Sequence, residues 1–220
     1  MRRAAVRTFK YSLIAVCLGV LASCGTVSQE TIKPTTQDNL LPDNILAAQN
    51  IYSGTRTGGI TGARYTAYYD PSIANYGYTG AFDNGRASWN GISSKVAVDK
   101  STSYNDANDF YLVSGADRRP IGGETLAVVR DANGNFVAGN IDQTWHHAQI
   151  TMYHGSYVNL FSDTALRATR IRQGVTHEIG HSLKQDHDSQ PVGTSIMRSD
   201  GDASGVTTYN RNELIRKWGQ

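Results

Sequence analysis

Two cysteines in 220 residues are too few for a disulfide framework. Cys17 lies inside an N-terminal apolar run and Cys24 just beyond it, so a chain that loses this run keeps no thiol pair to bridge. Stability must then come from core packing and bound ions. No long hydrophobic run exists either: the longest, "LIAVCLGVLA", is too short to span a bilayer comfortably. A net charge of one sign is also missing. The formal +2 comes from Arg2, Arg3, Arg7 and Lys10, with no acid before Glu30. Without residues 1–23 the balance is 17 basic against 19 acidic residues. Nothing in that balance suggests a nucleic-acid partner. No internal repeat is visible.

What is present begins with the order of those first residues. A basic stretch followed by an apolar run reads as a targeting segment. It ends in "LASC", Leu21 to Cys24, which resembles the lipobox of bacterial lipoproteins. That resemblance implies lipidation of Cys24, which becomes the new N-terminus and anchors the protein to a membrane. The alternative is a simple secretory signal cut nearby, leaving the protein secreted. Both place it outside the cytoplasmic membrane. Residues 24–62 follow, with Gly25–Gly62 rich in Ser, Thr, Gln, Asn and Gly. They read as a tether with a reach of roughly 30–35 Å, carrying one short helix around Asp43–Asn50.

Order is expected over residues 63–220. "ARYTAYY" (Ala63–Tyr69), "KVAVD" (Lys95–Asp99), "DFYLVSG" (Asp109–Gly115) and "AQITMY" (Ala148–Tyr153) have strand character. Asn133–Gly134 marks a hairpin between two β-prone runs. Gly80–Ile92 reads as a helix, with Phe82, Ala87 and Trp89 on one face. A second helix is expected from about Thr164, and a third over "NRNELIRKW", with Asn210 and Glu213 spaced as a capping box. This order describes an α+β domain built on a mostly single sheet.

The stretch "VTHEIGHSLKQDH" carries the chemistry. Residues four apart share a helix face, so His177 and His181 can grip one ion from adjacent turns. Glu178 is rotated about 100° from His177 and reaches a neighbouring water without being a ligand. This H-E-x-x-H spacing is that of zinc hydrolases. His187 supplies a third ligand only if the helix stops near Lys184 and the chain turns back. His146, His147 and His154 read as ordinary polar residues. Asp131, Asn133 and Asn135 offer oxygens to Ca2+, but their alternation fits a hairpin turn equally well.

"HEIGHSLKQDH" resembles the metzincin signature H-E-x-x-H-x-x-G-x-x-H, and "TSIMRS" (Thr194–Ser199) resembles the methionine turn that follows it. Across roughly residues 63–219 the order of segments is similar to that of bacterial matrixin-like metalloproteases. The resemblance implies a mixed, mostly five-stranded sheet with an active-site helix and a C-terminal helix. It implies Zn2+ held by His177, His181 and His187, Glu178 as general base, and Met197 as the floor beneath the ligands. It also implies that the strand Thr125, Leu126, Ala127, Val128, Val129, Arg130 is the sheet edge that binds substrate. The activity implied is that of a monomeric zinc endopeptidase acting on proteins or peptides. Two rivals stand beside it: a non-catalytic, zinc-stabilised binding or adhesion lipoprotein, and a zinc hydrolase of cell-wall amides. Three departures are visible. Lys184 stands where the signature has glycine, Ser199 where some branches carry tyrosine, and Gly25–Gly62 holds no cysteine for thiol latency.

Overall fold

The computed structural model describes residue 51 and residues 63–104, 108–130, 132–140, 142–200 and 203–220. The targeting segment, Cys24, all of the expected tether but Ile51, and Asp131 lie outside the described residues. The described elements are a mixed six-stranded sheet and five helices. The strands are β1 (Ala63–Tyr69), β2 (Val96–Ser101), β3 (Asp109–Ser114), β4 (Gly123–Arg130), β5 (Phe136–Ala138) and β6 (His147–Tyr153). The helices are α1 (Pro71–Asn75), α2 (Thr79–Trp89), α3 (His154–Leu160), α4 (Thr164–Ser182) and α5 (Thr208–Trp218). Among the described residues no helix is long and apolar enough to cross a membrane.

The sheet runs in the order β2-β1-β3-β6-β4-β5. The first four strands are parallel, and β4 is antiparallel to both of its neighbours. A parallel pair needs a crossover, and α1 with α2 provides it between β1 and β2. The sixth strand corrects the expected five. Gly134 takes φ 82° at the turn, where glycine has no Cβ to clash. The chain then folds Phe136–Ala138 back onto Val128–Arg130.

The core lies between sheet and helices. Along α4, Val175, Ile179 and Leu183 recur every fourth position and are fully buried. They meet Tyr65, Tyr111, Ile150 and Met152 from the sheet and Phe82 and Trp89 from α2 in one cluster. The Trp89 indole donates to the Thr176 carbonyl at 2.8 Å, fixing α2 to α4. Gly85 lets the two helices approach, because a Cβ there would stand 2.9 Å from Ile179 Cδ1.

The two unexpected helices are short. α1 starts at a proline, with Asp70 accepting from the Ser72 amide. α3 has no side-chain cap at its start, so no capping signal marks it in the sequence. The capping box of α5 also differs from expectation. Thr207 is the cap and Asn210 its reciprocal partner, which leaves Glu213 one turn inside the helix. Ile51, ahead of β1, forms an isolated antiparallel bridge with Gln185.

Candidate metal centre and the cavity beside it

Helix α4 presents the motif. Asp163 caps it by accepting from the amides of Ala165 and Leu166 at 2.8 Å. The apolar stripe of Val175, Ile179 and Leu183 faces the core. His177 and His181 follow stripe residues by two positions, about 200° of rotation, so they face away from that stripe.

The helix stops where bringing His187 back to His177 and His181 requires it to. Leu183 is the C-cap, and Lys184 takes φ 70°, the one positive value off glycine among the described residues. The Lys184 amide donates to the His181 carbonyl at 2.9 Å and the Gln185 amide to the Gly180 carbonyl at 3.0 Å. That pair of bonds is a Schellman ending. It reverses the chain and returns His187 to the histidines of the helix.

The result is a tight triangle. Nε2 of His177 lies 3.0 Å from that of His181 and 3.1 Å from that of His187, and the last two are 3.3 Å apart. Nδ1 of His177 faces the Ile196 carbonyl and Nδ1 of His181 the Gln185 carbonyl, each at 2.8 Å. Carbonyls only accept, so these Nδ1 atoms carry the protons, and the Nε2 lone pairs of the neutral rings are bare. Burial holds all three imidazoles below their ordinary pKa, with mutual repulsion adding at His181 and His187. Bare lone pairs at this spacing repel unless a cation sits among them. Among the described residues this is the one group that could hold a metal ion.

Glu178 is buried beside the triangle. Burial pushes its carboxyl up to about 7, against the opposing pull of Thr125 and His187. Thr125 of β4 faces it, its hydroxyl 2.8 Å from Oε2 and 2.9 Å from the Glu178 carbonyl oxygen. That contact requires β4 to run close to α4. Gly123 permits it, since a Cβ there would lie 3.1 Å from Glu178 Cγ.

Met197 is 1% exposed and packs against α4 at Gly180. Its sulfur occupies the space that a Cβ on Gly180 would need. The turn carrying it is pinned by a side-chain network that draws in Asp188 and the α5 residue Asn210. Ser195 donates to Asp188, and accepts from the Met197 amide at 3.0 Å and the Asn210 amide group at 2.6 Å. Asn210 Oδ1 accepts from the Ile196 amide at 3.0 Å. The carbonyl of that same Ile196 orients His177.

A cavity of about 540 Å³ opens beside the histidines, lined in part by His177, Glu178, His187, Gly122, Tyr157 and Phe161. The expected edge strand needs correction here. Over Val128–Arg130, β4 is covered by β5, and the Gly139 amide donates to the Ala127 carbonyl at 2.9 Å. Among the described residues, the stretch of β4 whose outer edge lacks a neighbouring strand is Gly123–Leu126. Asn133 and Asn135 sit about the hairpin turn, and neither they nor His146, His147 and His154 join the metal group.

No family model matches the chain, and no curated protein matches it. Among solved structures, the GM1-bound form of the ECX AB5 holotoxin is similar at 14% identity, covering 73% of this chain and 82% of that one. The TM-score is 0.43, too low a likeness to bear on function.

Proposed function

We propose that the chain is a zinc-dependent endopeptidase of metzincin type. The observation carrying this reading is the triangle of bare Nε2 atoms. A tetrahedral ion with bonds of about 2.0–2.1 Å to nitrogen keeps its ligand nitrogens about 3.3 Å apart, close to the 3.0–3.3 Å spacing of the three histidines. Imidazole nitrogens suit zinc, whereas calcium takes oxygens. Zinc bound there would supply Lewis acidity that polarises a carbonyl and brings the pKa of a water to about 7.

The remaining roles belong to this chain's own residues. His177, His181 and His187 would hold the ion, two of them aimed by backbone carbonyls. Glu178 accepts the proton of the attacking water and passes it to the departing amine. A carboxyl with a pKa near 7 is matched to that exchange. Thr125 keeps the carboxylate aimed at the triangle. An extended substrate pairs with the free stretch of β4, Gly123–Leu126, and its flank enters the cavity. Lipidation at Cys24 and a tether would hold this domain at a membrane surface outside the cytoplasm, consistent with the N-terminal sequence.

The test is metal content together with turnover. Protein purified without chelators should carry one zinc per chain and cleave a denatured protein, and chelation should abolish cleavage. Zinc without cleavage of any protein would favour the non-catalytic binding lipoprotein, and release of peptidoglycan fragments alone would favour the amide hydrolase.

A further inference from the structure

The cavity beside the histidines contains a polar group that the chemistry above leaves unused. Tyr157 of α3 lines it and is 6% exposed. Its ring packs near Phe161, with centroids 6.3 Å apart. Its hydroxyl has no hydrogen-bond partner among the described residues. The ring is buried but the residue lines the cavity, so an incoming acceptor can reach the hydroxyl.

The backbone around this hydroxyl is stripped of side chains. A Cβ on Gly122 would lie 2.8 Å from the oxygen, and a Cβ on Gly174 would overlap it. Gly174 precedes Glu178 by four residues, about one helical turn. The hydroxyl therefore sits against α4 a turn away from the carboxyl that faces the metal triangle. Burial and that carboxyl push its pKa up, so at neutral pH it keeps its proton to donate.

The other walls restrict what can meet it. Leu160 and Phe161 make one side apolar. Arg170 adds a cation to the same cavity, which disfavours a lysine or arginine side chain there. Gln173 is engaged, donating to the Ala203 carbonyl at 3.0 Å and accepting from Arg170 at 3.3 Å. The arrangement suits a guest with an aliphatic stem and an acceptor at its end.

Resting on the peptidase reading, we propose that Tyr157 is a specificity-determining residue. Its hydroxyl donates to the terminal oxygen of a carboxamide or carboxylate side chain of the substrate, of the glutamine or glutamate class.

The experiment compares the zinc-loaded full chain with its Tyr157→Phe variant, which keeps ring and shape and removes one oxygen. Cleavage sites in a denatured protein are mapped by mass spectrometry, and relative rates are measured on peptide pairs differing only by glutamine or norleucine. The wild type should favour acceptor-ended side chains at one fixed position relative to the cut bond. In the variant the glutamine-to-norleucine rate ratio at that position should fall about tenfold, the worth of one hydrogen bond to substrate, with preferences at other positions retained. Equal ratios in the two proteins would overturn the assignment and leave the peptidase reading intact. A zinc-loaded wild type that cuts no peptide would remove both.

Discussion

The ammonium of Lys184 lies 3.9 Å from the centre of the Trp145 ring and donates to the Gln143 carbonyl at 2.7 Å. Both side chains are fully buried. The residue that ends the histidine-bearing helix α4 thus also ties it to the loop ahead of β6.

Sequence reasoning alone makes Lys184→Gly neutral or stabilising, because glycine relieves about 1–2 kcal/mol of left-handed strain. The buried side chain reverses that sign. Its four methylenes are worth about 3 kcal/mol, and the desolvated contact with Trp145 about 2 kcal/mol more. Lys184→Gly should lower stability by about 2–4 kcal/mol and the melting temperature by several degrees, measured with zinc saturating. An unchanged or higher melting temperature would show that the strain outweighs the packing.

Thr125 faces the carboxylate proposed as the general base, its hydroxyl 2.8 Å from Oε2 of Glu178. Thr125→Val keeps the shape and removes the donor to Glu178. Activity should fall about 10–100-fold, with zinc retained. Glu178→Gln should also retain zinc but lose nearly all turnover, because the proton acceptor is gone. Comparable losses in the two variants would mean that Glu178 contributes position rather than proton transfer.

The raised pKa of Glu178 has a pH signature in the metal-free protein. A group with a raised folded pKa stabilises fully below its unfolded value, and that contribution is lost as pH rises through the folded value. For Glu178 the window runs from its usual 4.5 to about 7. Chelator-stripped wild type should therefore lose stability relative to Glu178→Gln between about pH 5 and pH 8, by at most about 3 kcal/mol. The three histidines are depressed, so their contribution is full above about 6.5 and lost as pH falls. They act in both proteins, with His187 coupled to Glu178, so the difference in melting temperature reports Glu178 together with that coupling. A flat difference would sink the assignment.

Asn210 reaches from α5 to the turn that carries Ile196 and Met197. Asn210→Ala leaves the Ile196 amide and Ser195 short of partners in a buried place, which should cost about 2–4 kcal/mol. Because the Ile196 carbonyl orients His177, zinc affinity should fall as well. Competition with a calibrated chelator reads that loss directly. Lost stability with unchanged affinity would separate the two roles.

Much of this site is legible in the sequence, because helical periodicity is local. His177 and His181 follow from a four-residue spacing, and the break at Lys184 from the need to bring back His187. The hairpin at Asn133–Gly134 is legible for the same reason. What is not legible depends on chain distant in sequence. Thr125 is in the sequence as one strand residue among six, and only the register of β4 beside α4 sets its hydroxyl against Glu178. Nothing near Tyr157 marks it, since the glycines around its hydroxyl stand at positions 122 and 174. The five-strand expectation came from the resemblance, while the residues themselves already contained the sixth strand. The capping box was misplaced because Asn210 and Glu213 satisfy the same spacing as Thr207 and Asn210. The hydroxyl of Thr207, which also donates to the Thr194 carbonyl at 2.6 Å, settles the choice.

The hairpin that lays β5 over β4 also sets a length. Four residues of uncovered strand, Gly123–Leu126, extend about 13 Å. A partner strand can register against that span and no further before it meets the hairpin. Under the proposed peptidase reading, a protein bound through so short a window need not unravel far to be recognised; one frayed loop, presented at the cleft, would be enough.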